Sequence, residues 1–243
     1  MNTAISRSSF RTGHALITPE SHVPLSFPDR EKCLTVYFIT PQLGAAFSNY
    51  MTLFEKGGSY KKKLNTTEIL GYVLSGSLTL TLNGNQSLNT GSFFFLPPGA
   101  DLSLVANEES RVLYFEKVYK KTNVSGPEAF VSHEKNLSKE AFLGDPGALL
   151  QHLLPDDVAF DMAVNIFEFI PGGTLPNVET HYMEHGLYVL QGQGVYRLGE
   201  SWYPVQKDDA IWMGPFCLQW FCATGKENTK YIYYKDVNRD PAE

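Results

Sequence analysis

The sequence predicts an all-β fold made of two tandem copies of one barrel. Runs of alternating, β-branched and aromatic residues, such as SLTLTLNG, RVLYFEKVY and AVNIFEFIPGG, are typical of strands, and Gly, Asn and Pro separate them. The string Tyr-Val-Leu-x-Gly occurs at residues 72–76 and again at 188–192, which indicates a duplicated unit. The 243 residues are enough for two domains of ordinary size.

The repeat and the turn signals give each element a place. We predict an N-terminal barrel over residues 1–120, an ordered crossover over 121–157 and a second barrel over 158–243. Asn83-Gly84 predicts a hairpin turn within 82–86, and residues 198–200 are its counterpart in the second copy. A short helix is expected within 138–150, between the barrels.

The second copy carries a spaced set of polar residues in the string PGGTLPNVETHYMEHGLYVLQG. Gly173, Glu179, His181, His185 and Gly192 follow the spacing that a cupin barrel, a double-stranded β-helix or jelly roll, uses to present metal ligands. Glu179 and His181 are two residues apart, so on an extended strand their side chains point to the same face. Two imidazoles and a carboxylate on one face suit a divalent first-row metal.

A fourth ligand is expected from the other half of the signature, DDAIWMGPFCLQWF. With Asp208 in its first glycine position, Gly214 and Phe216 take the proline and second glycine positions, and Gln219 takes the histidine position. A Glu, His, His and Gln set favours Mn(II) or Fe(II) over a closed structural zinc site. Cys217 and Cys222 flank Gln219, but their spacing does not match the ligand positions.

The first copy keeps the turn framework and lacks the ligands. Aligned by the repeat, the positions of Glu179, His181, His185 and Gln219 hold Lys63, Asn65, Ile69 and Leu102. These side chains cannot hold a divalent ion together. The sequence therefore predicts a metal site in the second barrel alone.

Composition excludes several classes of function. A formal net charge of −6 argues against nucleic-acid binding, which usually requires a basic face. No apolar run is long enough to span a bilayer, and the first residues lack the features of a secretory signal. The cysteines, Cys33, Cys217 and Cys222, are odd in number, as suits a reducing compartment. We expect a cytoplasmic protein without membrane or nucleic-acid partners.

Sequence segments longer than the ligand motif resemble those of one particular cupin family. The stretch from Glu179 to Phe221 and the ending KYIYYKDVNRD resemble the metal-binding half of (S)-ureidoglycine aminohydrolases, a bicupin family of purine (allantoin) catabolism. The likeness continues more weakly through FDMAVNIFEFIPGG and, in the first copy, YVLSGSLTL and FFFLPPG. It covers nearly the whole chain. It implies hydrolysis of ureidoglycine to ureidoglycolate and ammonia at a Mn(II) centre, and a homo-oligomeric assembly.

The resemblance also implies roles for individual residues. The metal ligands would be Glu179, His181, His185 and Gln219, and Glu179 would also take part in catalysis. The substrate, a small ureido acid, would be contacted by Tyr196, Tyr231 and Lys235, of which Tyr196 and Lys235 are also catalytic candidates. Tyr231 and Lys235 are four residues apart and so share one strand face. Lys235 then offers a fixed charge for a carboxylate; otherwise it pairs with Asp236 or Glu168, and Tyr231 is a core aromatic.

Two other functions stay open at this stage. The same four ligands could hold Fe(II) in an oxygen-dependent cupin, a dioxygenase or oxidase. Alternatively, the barrel could bind a small acid without turning it over.

Overall fold

The computed structural model of the protein describes residues 6–242, whose regular structure is almost entirely β-strand. Three 3₁₀ turns span Pro19–Ser21, Pro41–Leu43 and Glu134–Asn136. The strands within the described residues are β1 (Ser9–Arg11), β2 (His14–Ile17), β3 (Arg30–Ile39), β4 (Phe47–Lys63), β5 (Thr67–Ser75), β6 (Ser77–Thr81), β7 (Asn85–Asn89), β8 (Ser92–Leu96), β9 (Asp101–Ala106), β10 (Ser110–Val118), β11 (Phe130–His133), β12 (Glu140–Phe142), β13 (Asp145–His152), β14 (Met162–Phe169), β15 (His185–Gln191), β16 (Gln193–Leu198), β17 (Ser201–Gln206), β18 (Ala210–Met213), β19 (Gln219–Thr224) and β20 (Thr229–Asp236).

The first compact unit spans Val23–Asn136 and contains one sheet. Its strands follow the order β11-β8-β5-β10-β4-β9-β6-β7, and β3 also pairs with β4. Leucine, phenylalanine and tyrosine side chains from the inner faces of these strands form a continuous core. Tyr50, Tyr60 and Tyr114 are fully buried there. The alternation of buried and exposed residues along β9 shows why such sequences form half-buried strands.

The second unit contains the described residues from Leu137 onward, together with the described residues up to His22. One sheet has the order β1-β2-β18-β15-β20-β14-β13-β12, and the other has the order β17-β16-β19. Every residue of β2 is buried, and Ala15 pairs with Trp212 of β18. The division therefore differs from the predicted first domain of 1–120, because the N-terminal hairpin completes an otherwise open edge of the later barrel.

The expected crossover of 121–157 is divided between the two units. Strand β11 pairs with β8 of the first unit, whereas β12 and β13 pair in the second. The helix expected within 138–150 is wrong, since this stretch forms β12 and most of β13. Ala148 and Leu150 lie in the core opposite Phe169 and Phe167, so pairing with β14 overrides the local preference.

Both predicted hairpin turns are confirmed. Asn83 and Gly84, with φ of 49° and 108°, lie in the three-residue loop that joins β6 to β7, where Thr81 pairs with Asn85. Both φ values are left-handed, which Asn and Gly adopt more readily than other residues. Gly199, with φ of 58°, lies in the turn between β16 and β17. Among the described residues, no helix is long and apolar enough to cross a membrane.

Candidate metal centre and substrate cavity

The second barrel encloses a cavity of about 210 Å³. All seven of the predicted site residues line it, so the structure brings the sequence-derived set together. Apolar side chains make up most of the remaining wall. The lining residues are Phe142, Phe167, Leu175, Glu179, His181, Met183, His185, Leu187, Tyr196, Met213, Gln219, Tyr231, Tyr233 and Lys235.

Glu179 and Gln219 face each other across an isolated bridge between two strand segments. Each backbone N–H donates to the other residue's carbonyl at 2.9 Å, which is the closed pairing of antiparallel strands. Side chains of such a pair lie on the same face of the sheet. The fourth ligand position predicted from spacing is therefore directly opposite the first.

The two histidines point their Nε2 atoms at each other, 3.1 Å apart. His181 Nδ1 lies 3.1 Å from the Met183 carbonyl, and His185 Nδ1 lies 3.1 Å from the Tyr234 carbonyl. A carbonyl only accepts hydrogen bonds, so each Nδ1 carries the ring proton and each Nε2 presents a lone pair. Burial, with the nearby His181 and Lys235, lowers the pKa of His185 to about 3, so this ring is neutral at physiological pH.

These donors fit a divalent cation. Two lone pairs that face each other at this distance repel unless a proton or a cation lies near both. The amide nitrogen of Gln219 lies 3.0 Å from His181 Nε2, so Gln219 would bind an ion through its oxygen only after its amide group turns over. Carbonyl bonds at Nδ1 are the usual means of orienting metal-bound imidazoles. Within residues 6–242, no three His, Cys, Asp or Glu side chains form a ligand group by themselves. Any ion at this position would therefore need a further donor, and Gln219 is the polar side chain next to His181.

The loop between the histidines is fixed from outside the cavity. The Glu184 backbone N–H donates to Asp236 Oδ1 at 2.8 Å, and Trp212 Nε1 donates to Glu184 Oε2 at 3.0 Å. His185, the first residue after this loop, begins β15 and is paired with Lys235. The three residues between the histidines thus form a loop that these two hydrogen bonds hold in place.

Lys235 lies on the interior face beside His185. Its electrostatic effect lowers the pKa of Glu179, although burial outweighs this effect and the net shift is upward. The two alternative partners of Lys235 are engaged elsewhere: Asp236 accepts from Glu184, and Glu168 binds Lys139 and Asn228. Among the described residues, neither carboxylate forms an ion pair with Lys235, whose side chain lines the cavity.

Tyr196 and Tyr231 form a hydrogen-bonded pair on the cavity wall. Burial raises the pKa of both hydroxyls, and the charge of Glu179 adds to this effect. Their rings lie 6.3 Å apart, and both line the cavity with Glu179.

The sequence did not single out Tyr233, which also lines the cavity. It lies two residues from both Tyr231 and Lys235 on β20, so the period of two that placed those residues on one face would also have placed Tyr233 there. The apolar wall residues were missed as well, because nothing in a strand sequence distinguishes a cavity wall from a packed core.

Strand pairing in the first barrel identifies the residues that occupy the equivalent positions there. It also moves two positions of the sequence alignment by one residue. Lys62 is opposite Leu102 as Glu179 is opposite Gln219, and Gly99 donates to Leu64 as Phe216 donates to His181. The equivalents of Glu179 and His181 are therefore Lys62 and Leu64, and the expected Lys63 and Asn65 are wrong. The first barrel has one more residue between Leu64 and Ile69 than the second barrel has between His181 and His185. The repeat alignment is therefore correct at Ile69 and one residue out of register before it, and a shift of one residue turns a side chain to the other face of a strand.

The same comparison reveals a reversal of charge between the barrels. Glu116 is paired with Ile69 as Lys235 is paired with His185, so Glu116 is the counterpart of Lys235. Lys62 and Glu116 form an ion pair of 2.6 Å, where the second barrel has Glu179 and Lys235. The ligand positions between them hold the buried side chains of Leu64, Ile69 and Leu102.

Comparison with known proteins finds relatives over nearly the whole chain. No family model matches the chain. The probable (S)-ureidoglycine aminohydrolase of rice (Oryza sativa subsp. japonica) is 42% identical over 97% of this chain and 76% of its own length. The (S)-ureidoglycine aminohydrolase of Escherichia coli K12 is 34% identical over 93% of this chain and 89% of its own length. The chain belongs to the (S)-ureidoglycine aminohydrolase family.

Solved structures confirm the fold expected for this family. Protein Ylba from E. coli aligns with a TM-score of 0.88 and 32% identity, covering 98% of this chain and 96% of that one. The putative glyoxylate induced protein of Pseudomonas aeruginosa aligns with a TM-score of 0.89 and 32% identity, covering 97% and 92%. The oxalate decarboxylase of Lactobacillus farciminis, at 14% identity and a TM-score of 0.68, shares the fold. The all-β bicupin prediction is correct.

Proposed function

We propose that the protein is a metal-dependent aminohydrolase that converts (S)-ureidoglycine and water to (S)-ureidoglycolate and ammonia. Relatives of that name at 34–42% identity support the reaction. The observation that carries the metal dependence is the pair of inward-facing imidazole Nε2 atoms, each with its Nδ1 bonded to a carbonyl. The proposed ligands are Glu179, His181, His185 and Gln219. Their two oxygen and two nitrogen donors favour Mn(II), with Fe(II) next.

The residues around the proposed ligands bind different groups of the substrate. When bound, the divalent ion supplies Lewis acidity and a template for the amino and carboxylate groups. Lys235 pairs with the substrate carboxylate, and Tyr196 and Tyr231 hold the ureido group. The apolar walls of the cavity exclude bulk water, which strengthens these polar contacts.

The reaction breaks the bond between the α-carbon and its amino nitrogen and forms a bond from the α-carbon to a water oxygen. One proton of that water goes to the nitrogen, which leaves as ammonia, so atoms and charge balance. Glu179 and Tyr196, neighbours on the cavity wall, are our assignments for moving this proton. Because the substrate is held at its carboxylate and ureido ends, water adds to one face and yields one stereoisomer.

Metal analysis combined with an ammonia assay on freshly generated ureidoglycine tests the proposal. His181→Ala and His185→Ala should lose bound manganese and ammonia release together, because each removes one of two imidazole donors. His133→Ala, a histidine of the first barrel, serves as the matched control and should keep both. Ammonia release by a metal-free variant would refute the metal scheme.

The two competing functions give different results in the same assay. Consumption of oxygen with substrate would identify an oxygenase or oxidase. Full metal occupancy without ammonia release from ureidoglycine would leave a binding protein. Lys235→Ala should raise KM much more than it lowers kcat, and an unchanged KM would remove Lys235 from the substrate site.

A further inference from the structure

Tyr233 reaches the substrate cavity without a part in the scheme above. It lies on β20 midway between Tyr231 and Lys235, and side chains two apart on a strand share a face. Its paired neighbours are Asn165 on β14 and Leu187 on β15. The side chain is thus positioned between the lysine that we assign to the carboxylate and the tyrosine pair that we assign to the ureido group.

The ring of Tyr233 is held in a fixed orientation. It stacks on Phe167 with ring centroids 5.5 Å apart and planes inclined by 12°. His185 packs against it at 5.6 Å and 61°, in an edge-on arrangement. Contacts of this kind restrict the ring to one orientation, so the direction of its hydroxyl is set by packing before any ligand binds.

A buried amide fixes the hydrogen-bonding state of the hydroxyl. Asn165 Nδ2 donates to the Tyr233 hydroxyl at 3.2 Å, and Asn165 Oδ1 lies 3.1 Å from His152 Nδ1. His152, Asn165 and Tyr233 occupy paired positions on the neighbouring strands β13, β14 and β20. An amide nitrogen only donates, so the hydroxyl accepts in this bond and its own proton is directed elsewhere.

We propose that Tyr233 is a substrate contact, that its hydroxyl donates to one oxygen of the substrate carboxylate while Lys235 pairs with the other, and that Asn165 is its positioning residue. This inference rests on the proposed function for the identity of the substrate. The hydroxyl needs an acceptor, and the adjacent lysine on the same face attracts an anion. Tyr196 and Tyr231, which we assign to the ureido group, bond to each other, whereas Tyr233 lies two residues from Lys235 on the same strand face.

Binding measurements on the metal-loaded full-length protein test this role without turnover. The probe is hydantoate, a ureido acid that lacks the α-amino group, with its uncharged carboxamide as the second probe. Tyr233→Phe should weaken hydantoate binding about tenfold, the effect of losing one hydrogen bond to a charged group. Binding of the carboxamide should weaken by a smaller factor, about threefold, because its oxygen accepts an uncharged hydrogen bond.

The role of Asn165 requires a double-mutant cycle. Asn165→Leu, or Asn165→Ser should the first variant fail to fold, weakens hydantoate binding only through Tyr233. The loss should therefore vanish in the Tyr233→Phe background. Equal losses in both backgrounds would make Asn165 a structural residue. Tyr203→Phe is the matched control, because its hydroxyl bonds His14 outside the cavity lining.

The outcomes separate this inference from the proposed function. Equal hydantoate affinity in the wild type and Tyr233→Phe, with ammonia release intact, overturns the tyrosine contact and leaves the aminohydrolase proposal standing. A wild-type protein that does not bind hydantoate also overturns the contact. A tenfold loss in a protein that releases no ammonia from ureidoglycine supports the carboxylate contact and removes the proposed reaction.

Discussion

The charge-reversed pair of the first barrel makes a quantitative prediction about stability. Lys62 Nζ lies 2.6 Å and 2.7 Å from the two oxygens of Glu116, and the Tyr50 hydroxyl donates to the same carboxylate at 2.8 Å. The Glu116 side chain is 10% exposed and that of Lys62 is 29% exposed. Lys62→Met removes the cation and leaves the carboxylate in a largely apolar site with one neutral partner.

The expected loss follows from this geometry. Removing one partner of a fully buried ion pair costs about 3–5 kcal/mol. The partial exposure of Lys62 means that water already screens the pair, so we expect Lys62→Met to lower the free energy of unfolding by about 2 kcal/mol. The double variant Lys62→Met/Glu116→Leu removes both charges, and Tyr50 keeps a hydroxyl partner in Tyr60 at 3.2 Å. Its stability should lie within about 1 kcal/mol of the wild type.

Urea denaturation followed by circular dichroism measures these differences. Lys63→Met is the control, because Lys63 pairs with an exposed Asp101 and should cost less than about 0.5 kcal/mol. A single Lys62→Met variant as stable as the wild type would refute the reasoning. A double variant that loses as much as the single one would also refute it, because the loss would then not come from an unpaired carboxylate at Glu116.

Three further predictions concern other parts of the fold. Arg7→Leu should destabilise the protein by about 2 kcal/mol in urea denaturation, since it leaves the fully buried Asp209 without the two guanidinium bonds of 2.7 Å and 2.8 Å; an unchanged midpoint would contradict the pairing. Gly194→Ala should cost about 1–3 kcal/mol in the same assay, because its Cβ would lie 2.2 Å from the Phe221 ring. Burial raises the pKa of Cys33 to about 11, so mass spectrometry should find Cys33 unmodified by iodoacetamide in the native protein at pH 8, and rapid labelling would disprove its burial.

The ligand set shows how far local spacing reaches. Glu179, His181 and His185 lie within seven residues, and their order needed no knowledge of the tertiary structure. Gln219 could be added because the second half of the signature has a fixed spacing of its own. The one-residue error at Lys62 arose in the first barrel, where no polar ligand marks the inward face and an insertion shifts the register.

Long-range pairing explains the other errors. Residues 138–150 form strands because β14 offers hydrogen bonds and an apolar face, neither of which is encoded in that segment. The N-terminal hairpin joins the later barrel because β18 presents an unpaired edge almost two hundred residues away along the chain.

The sequence alone determined the all-β duplicated fold and the residues that line the cavity of the second barrel as proposed metal ligands, since strand periodicity and turn residues act over short distances. Only the tertiary structure decided which side chains meet across strands. It turned two imidazole lone pairs toward each other, placed Lys62 against Glu116 and bonded Asn165 to Tyr233. Contacts between distant strands depend on register and on the closure of the barrel, which a short segment of sequence does not contain.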